Sequence, residues 1–348
     1  MINILFIGDP HIKVDNIPEV EKFIEQSIII AKEKKPDAIV IGGDLLDTHE
    51  RLFTPALNKA YDLVNNMRLI SKTYVLVGNH DYINNKQFLS QNHWMTAMKE
   101  WKNTVIVDEV ILEYIKDLKF VFVPYVYTGS FNEALNTIGN KWKDARCIFA
   151  HQELYGCKME SKISVEGDRW LSNNPLIVSG HIHSKQKVQE NIYYPGTPMQ
   201  HNFGECDNDN TIAYISFDKT NYHIEEISLN LTKKKVISLN IDEVDEFSID
   251  NNKDQLKLSV NGNYGQFKVF KKSKKYKTLT EKGVKIVFKS NNDSVIGKKI
   301  ESSLYKECNN FEDILKNIID QQKDPYLFQS YELIINGKNT NLEDIMFL

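Results

Sequence analysis

Five short clusters gather most of the residues that can do chemistry: Gly8-Asp9-Pro10-His11, Gly42-Gly43-Asp44, Gly78-Asn79-His80-Asp81, His151 and Gly180-His181-Ile182-His183. The chain has nine histidines, and five of them lie in these clusters. The side chains supply carboxylate, imidazole and amide oxygen, the hard-to-borderline donors suited to Mn²⁺, Fe or Zn²⁺. One Asp-x-His or His-x-His pair alone reads as a surface or core feature, because such pairs arise often by chance. The ordered set carries far more weight, since each cluster directly follows a short apolar run. Two cations about 3.5–4 Å apart that share a carboxylate activate water and clamp the oxygens of an in-line phosphoryl displacement. A histidine beside them can protonate the departing alkoxide. With no Ser or Cys in a matching context, direct attack by water is expected rather than a covalent intermediate.

Those clusters need strands to hold them. Residues 2–7, 38–41, 74–77, 120–123, 147–150 and 176–178 are short, apolar and rich in β-branched side chains, as strands buried on both faces should be. Between the first two, Pro18 opens a helix with Val20, Phe23, Ile24, Ile28 and Ala31 on one face, and Pro36 closes it. Pro55 opens another helix before the third strand. Strand–helix alternation predicts a layered α/β fold, in which ligands bind beyond the carboxyl ends of the strands. Glycine beside most of the clusters permits the tight turns that edge requires. After Gly180 the pattern changes to antiparallel strands at 192–194, 211–217 and 222–229.

Composition bounds the class. The 348 residues are 41% hydrophobic and 26% charged, which is ordinary for globular protein. No stretch approaches 18 consecutive apolar residues, so no membrane-spanning helix is expected. The N-terminus turns polar after seven residues and reads as a first strand rather than a signal peptide. Cys147, Cys157, Cys206 and Cys308 are far apart and without CxxC spacing, which points to a reducing interior: an intracellular protein, not a secreted one. Net charge is −4, with the carboxylates concentrated before residue 230, and decides nothing about partners.

In order and spacing, the five clusters resemble the calcineurin-like metallophosphoesterase superfamily. The resemblance implies an α/β fold built on a β-sandwich flanked by helices, with two divalent metal ions at its strand ends, Mn²⁺ foremost and Mg²⁺ or Fe as alternatives. One ion would be held by Asp9, His11 and His183, the other by Asn79, His151 and His181, and Asp44 would bridge them. His80 would face the phosphate and the leaving group as the catalytic acid. The segment 194–205, Tyr-Pro-Gly-Thr-Pro-Met-Gln-His-Asn-Phe-Gly-Glu, is similar to the segment after the His-x-His cluster in SbcD-type DNA-repair nuclease subunits, and residues 42–48 are similar to that family's second motif. This closer resemblance implies a DNA exonuclease and endonuclease acting with an SbcC-type ABC ATPase in repair and recombination. It covers residues 1–205; beyond them only the general plan matches. Two departures stand out: Ile12-Lys13 follow the first Asp-x-His where glycine is usual, and Asp47 occupies a position that some members fill with a second phosphate-facing histidine. His49 is a phosphate contact or a plain loop histidine.

The resemblance divides the chain into a nuclease domain over 1–235, a small α+β capping and DNA-binding domain over 236–300, and a helical partner-binding segment over 301–348. The run 271–289 carries eight lysines against Glu281, and Lys271, Lys272, Lys274, Lys275 and Lys277 are the candidate DNA contacts. Such runs are also common on solvated faces. The spacing of Phe88, Leu89, Trp94, Met95, Met98 and Trp101 predicts a buried helix, in a region where the family builds a two-fold contact, so a homodimer is expected. A stand-alone phosphodiesterase or phosphatase is the competing enzyme. A non-catalytic metal-binding scaffold is a third reading, weakened by retention of His80.

Overall fold

The computed structural model describes residues 1–49, 51–159, 162–205, 210–249 and 254–290, and six positions beyond them, 315, 316, 319, 320, 327 and 331. Strand β1 (Ile2–Ile7) leads through helix α1 (Ile17–Lys34) to its parallel neighbour β2 (Ala38–Ile41). Pro18 stands in the first turn of α1, Val20, Phe23, Ile24 and Ala31 form its buried face, and Lys35 closes it in a left-handed conformation. Helix α2 (Thr54–Ile70) crosses to β3 (Lys72–Leu76), beside which β4 (Thr104–Val107) lies parallel. The hairpin β5 (Ile111–Ile115) and β6 (Leu118–Phe122) starts a second sheet, and α3 (Phe131–Asn136) leads from it to β7 (Cys147–His151). A two-residue ribbon, β8 (Lys158–Met159) and β9 (Lys162–Ile163), precedes β10 (Leu176–Gly180), β11 (Gln186–Gln189) and β12 (Ile192–Tyr194). Strands β13 (Thr211–Phe217) and β14 (Tyr222–Ser228) then return to the first sheet.

The first sheet has the order β14-β13-β1-β2-β3-β4 and the second β11-β12-β10-β7-β6-β5. Strand side chains alternate between faces, and that alternation builds three apolar layers. Ile4, Phe6, Val40, Tyr74 and Leu76 meet Phe120, Phe122, Phe149 and Val178 between the sheets. On the outer face of the first sheet, Leu5, Ile7, Ile39, Ile41 and Val75 receive α1 and α2. On the outer face of the second, Val121, Ile148 and Ile177 receive Phe131, Leu135, Trp142 and Trp170. The result is the helix-flanked β-sandwich of an α/β protein.

A separate three-stranded parallel sheet follows, of β15 (Lys234–Asn240), β16 (Gln255–Gly262) and β17 (Lys285–Ser290). Two short helices, α4 (Tyr264–Lys271) and α5 (Lys274–Glu281), cover one face of it. The lysine-rich run is thus two helices and a strand around a core of Leu258, Val260, Phe270 and Leu279. This unit touches the sandwich through Lys234, whose Nζ donates to the Gln200 carbonyl (2.8 Å).

The helix predicted across 87–101 is absent. One 3₁₀ turn, Thr96–Glu100, is the only helical piece there; Met95 and Met98 are buried, while Trp94 and Trp101 are half-buried. Local side-chain bonds divert the backbone, as Ser90 Oγ accepts from Asn92 N–H and Gln87 Oε1 from the Asn92 amide. Buried polar anchors then fix the path: Trp94 Nε1–H donates to Asp81 (3.0 Å) and His93 Nε2 lies 3.1 Å from Asp108. The helical partner-binding segment predicted over 301–348 lies outside the described residues except for the six positions named above.

Phe149 is fully buried, with its ring centroid 5.5–6.1 Å from those of Phe6, Phe120 and Phe122. Phe149→Ala opens a cavity between the sheets and should destabilise the protein by about 3–5 kcal/mol, read as a lower urea midpoint with an unchanged slope.

Candidate active site

Strands β1, β2 and β3 are parallel in one sheet and β7 and β10 are parallel in the other, so each set of carboxyl ends shares an edge. Asp9, Asp44 and Asn79 follow the first three strands, His151 ends β7, and His181 and His183 follow β10. Three residues of the five clusters have left-handed backbones: His11 (φ 43°), Asp44 (φ 47°) and His181 (φ 79°). Outside glycine such conformations cost of order 1–3 kcal/mol each, and they persist only where surrounding structure enforces them. At Gly78 a Cβ would stand in the Asp44 carboxylate, and at Gly43 (φ 110°) it would strike the His151 ring. Both positions therefore require glycine.

The side chains converge. Asp44 Oδ2 lies 3.3 Å from His151 Nε2 and 3.6 Å from His11 Nε2. Asn79 Oδ1 lies 3.0 Å from His151 Nε2 and 2.9 Å from His181 Nδ1. His183 Nε2 faces His11 Nε2 at 3.0 Å. Backbone amides lock the carboxylates: His80 N–H donates to Asp44 Oδ1 (2.8 Å) and His181 N–H to Asp9 Oδ2 (2.6 Å). Donor atoms of Asp9, His11 and His183 lie within 4.8 Å of one another, as do those of His11, Asp44 and His80, and those of Asp44, His151 and His181. Every metal-ligand candidate read from the sequence, and His80, stands in this one cluster.

Its electrostatics depend on mutual charge, because Asp9, His11, Asp44, Asn79 and His151 are buried. Burial opposes ionisation of Asp44, but the His151, His11 and His80 imidazoles hold its carboxyl well below the usual range. Burial likewise opposes a charged His151, and Asp44 and Asp9 override it, raising that imidazole to about 9. Burial and the neighbouring His151 push His181 down to about 3, so it keeps a free lone pair. Burial raises Asp9, with Asp44 adding to the effect.

The donor set fits metal ions. Asp9 Oδ1 is buried with no hydrogen-bond partner among the described residues. His151 Nδ1 lies 2.7 Å from the Gly42 carbonyl, which can only accept, so Nδ1 carries a proton and Nε2 is turned toward Asn79 and Asp44. To donate there as well, His151 must be imidazolium; a bound cation would take the place of that second proton. His183 Nδ1 is held 2.8 Å from Glu205 Oε1, the carboxylate–histidine arrangement that orients metal-ligating imidazoles and raises their basicity.

Comparison with known proteins agrees with this geometry. Residues 2–223 match the calcineurin-like phosphoesterase model. The chain belongs to that family. Calcineurin-like phosphoesterases use divalent metals to hydrolyse phosphoesters, and the helix-flanked sandwich is their fold. Protein 244L of Invertebrate iridescent virus 6 is 48% identical over 78% of this chain and 98% of its own length. Protein 078R of Invertebrate iridescent virus 3 is 42% identical over 83% of this chain and 84% of its own. Both are named provisionally as phosphoesterases. A dimetal phosphatase from Danio rerio is similar in structure over 66% of this chain and 96% of its own, at 10% identity and a TM-score of 0.46.

This calcineurin-like phosphoesterase also holds residues that sequence reasoning left without a role. Glu205 and His201 come from the quoted segment 194–205, and His201 Nε2 reaches the Asp9 carbonyl (3.1 Å). Asp81 completes the third cluster from behind, accepting from Gly78 N–H (3.0 Å) and Trp94 Nε1–H; burial and then Asp44 raise its carboxyl to about 7. Asp47 lies 3.4 Å from His11 Nδ1, and its carbonyl accepts from His80 Nδ1–H at 2.8 Å. His49 stacks on His80 with ring centroids 4.9 Å apart. Lys271, Lys272, Lys274, Lys275 and Lys277 stand on α4, on α5 or between them, and none contacts a cluster residue; Lys275 Nζ donates to the Asp245 carbonyl (2.9 Å). Among the described residues no helix is long and apolar enough to cross a membrane.

His151 yields a pH prediction. Its folded pKa of about 9 lies above the ordinary 6.5, so its charge stabilises the metal-free protein below about pH 6.5 and that contribution disappears as pH rises through 9. The urea midpoint of metal-stripped protein should fall across that window, and the fall should shrink in His151→Gln; an equal fall in both proteins would exclude His151 as the source.

Proposed function

We propose that this phosphoesterase hydrolyses phosphodiester bonds in DNA with two divalent cations, Mn²⁺ foremost, in the manner of SbcD-type nuclease subunits and together with an SbcC-type ABC ATPase. The observation that carries this reading is the position of segment 200–205. It holds His183 through Glu205 and also seats the lysine-rich third sheet, so a unit rich in positive charge adjoins the cluster, which supports a polyanionic substrate. In this reading Asp9, His11 and His183 would hold one cation and Asn79, His151 and His181 the other, with Asp44 serving both. A homodimer belongs to the same proposal, as does docking of the ATPase on the C-terminal segment.

When bound, the cations polarise the phosphoryl oxygens and bring the pKa of water toward neutrality. Asn79 contributes an oxygen without charge and leaves the centre positive toward a phosphate. The Asp47 carbonyl accepts a hydrogen bond from His80 Nδ1–H, which leaves Nε2 as the nitrogen that would deliver a proton to the departing oxygen. Stacking on His49, whose Nδ1 lies 3.2 Å from the Tyr82 carbonyl, holds the His80 ring in place.

A stand-alone phosphodiesterase or phosphatase is the second reading. The names of the two viral relatives favour it, since both say phosphoesterase and neither mentions DNA.

Hydrolysis of linear duplex DNA beside bis-p-nitrophenyl phosphate in Mn²⁺ separates the two. Cleavage of both supports the nuclease; turnover of the small diester alone, even with the ATPase added, supports the second reading. Asp44→Ala should lose paired metal binding by calorimetry and nearly all hydrolysis of either substrate, and retained activity would remove Asp44 from the centre. His80→Ala should keep its metal stoichiometry while kcat falls about 10²–10⁴-fold; metal loss as severe as the rate loss would make it a ligand instead.

A further inference from the structure

The third sheet has two unlike faces. Leu256, Leu258 and Val260 of β16 point toward α4 and α5, so the alternate residues form the opposite face. In register across β15, β16 and β17, that face presents Val236, Lys257 and Lys285, then Ser238, Ser259 and Val287, then Asn240, Asn261 and Lys289. It contains no aspartate or glutamate. Val236 and Val287, on its outer strands, are each 41% exposed, while Ser259 between them is buried.

Lys257 and Lys285 are direct cross-strand neighbours, an arrangement of like charges that destabilises a sheet unless an anion offsets it. Among the described residues neither they nor Lys289 forms an ion pair. Both ammonium groups lie over the ring of Phe203, at 5.9 Å for Lys257 and 5.4 Å for Lys285. Phe203 stands between His201, which contacts the Asp9 carbonyl, and Glu205, which holds His183. The unpaired lysines therefore continue directly from the rim of the hydrolytic centre.

We propose that this lysine-bearing sheet face binds the phosphate backbone of the nucleic-acid strand being cut, which leaves the centre beside Phe203 and runs over Lys257 and Lys285 toward Lys289. The inference rests on the nuclease reading and assigns the contact to the sheet rather than to the helix-borne lysines. A phosphate between Lys257 and Lys285 relieves their repulsion, and its neutralisation releases counterions.

The test is fluorescence anisotropy of labelled oligothymidylate binding to the full chain in EDTA at stepped salt concentrations. The double variant Lys257→Gln/Lys285→Gln should lower the slope of log affinity against log salt by about 1.4, two single-strand phosphates' worth, and weaken binding at low salt roughly tenfold or more. Its hydrolysis of bis-p-nitrophenyl phosphate in Mn²⁺ should match wild type, which also reports an intact fold. An unchanged slope in this variant, with the slope lost instead on replacing Lys271, Lys272, Lys274, Lys275 and Lys277, overturns the sheet assignment and leaves the nuclease reading standing. If wild type turns over the small diester but neither binds nor cuts DNA, the nuclease reading falls and this inference with it.

Discussion

The contact between Asp44 and His151 joins the two halves of the sandwich chemically. The carboxylate comes from the edge of one sheet and the imidazole from the edge of the other, 3.3 Å apart and both almost fully buried. Neither charge is tolerable there alone, because desolvating an isolated ion costs several kcal/mol. Together they hold each other ionised, and the surrounding architecture serves to keep them facing. Phe6, Phe149 and their neighbours set the spacing of the sheets, and Gly43 and Gly78 remove the side chains that would separate the edges. The left-handed turns at His11, Asp44 and His181 belong to the same constraint, as strain that packing enforces so that lone pairs converge.

Around this pair the supporting bonds fall into a consistent scheme. Main-chain carbonyls of Gly42, Asp47 and Asp9 meet one nitrogen each of His151, His80 and His201, while the Glu205 carboxylate meets His183. A carbonyl cannot donate, so each such contact decides the tautomer of its ring and therefore which nitrogen faces the centre. A constellation of neutral and charged imidazoles thus acquires a definite direction before any ion binds. The third sheet is tied to the same scheme, because the segment bearing His201 and Glu205 is also its docking strap.

The strands that carry the clusters were legible in the chain because they are buried on both faces and read as unbroken apolar runs; residues 2–7, 38–41 and 192–194 coincide with the observed strands. The misreading at 87–101 has an equally physical origin. Its large apolar residues have helical spacing, but polar side chains of Gln87, Ser90 and Asn92 bond locally, and Trp94 and His93 anchor to Asp81 and Asp108 across the fold. Strands β15 and β16 escaped notice because they alternate polar with apolar residues on either side of the acidic run at 242–246.

By itself the sequence determined which residue types stand at the ends of which strands, and that sufficed to identify a metal-dependent phosphoesterase. Order along the chain carries this information because parallel strands bring their carboxyl ends to a common edge. Only the tertiary structure decided that Glu205 orients His183, that Asp81 supports the loop of Asp44, and that Lys257 and Lys285 flank Phe203 beside the centre. These relations join residues whose separation in sequence says nothing of their separation in space. They depend on the docking of one sheet against another, which no local pattern encodes.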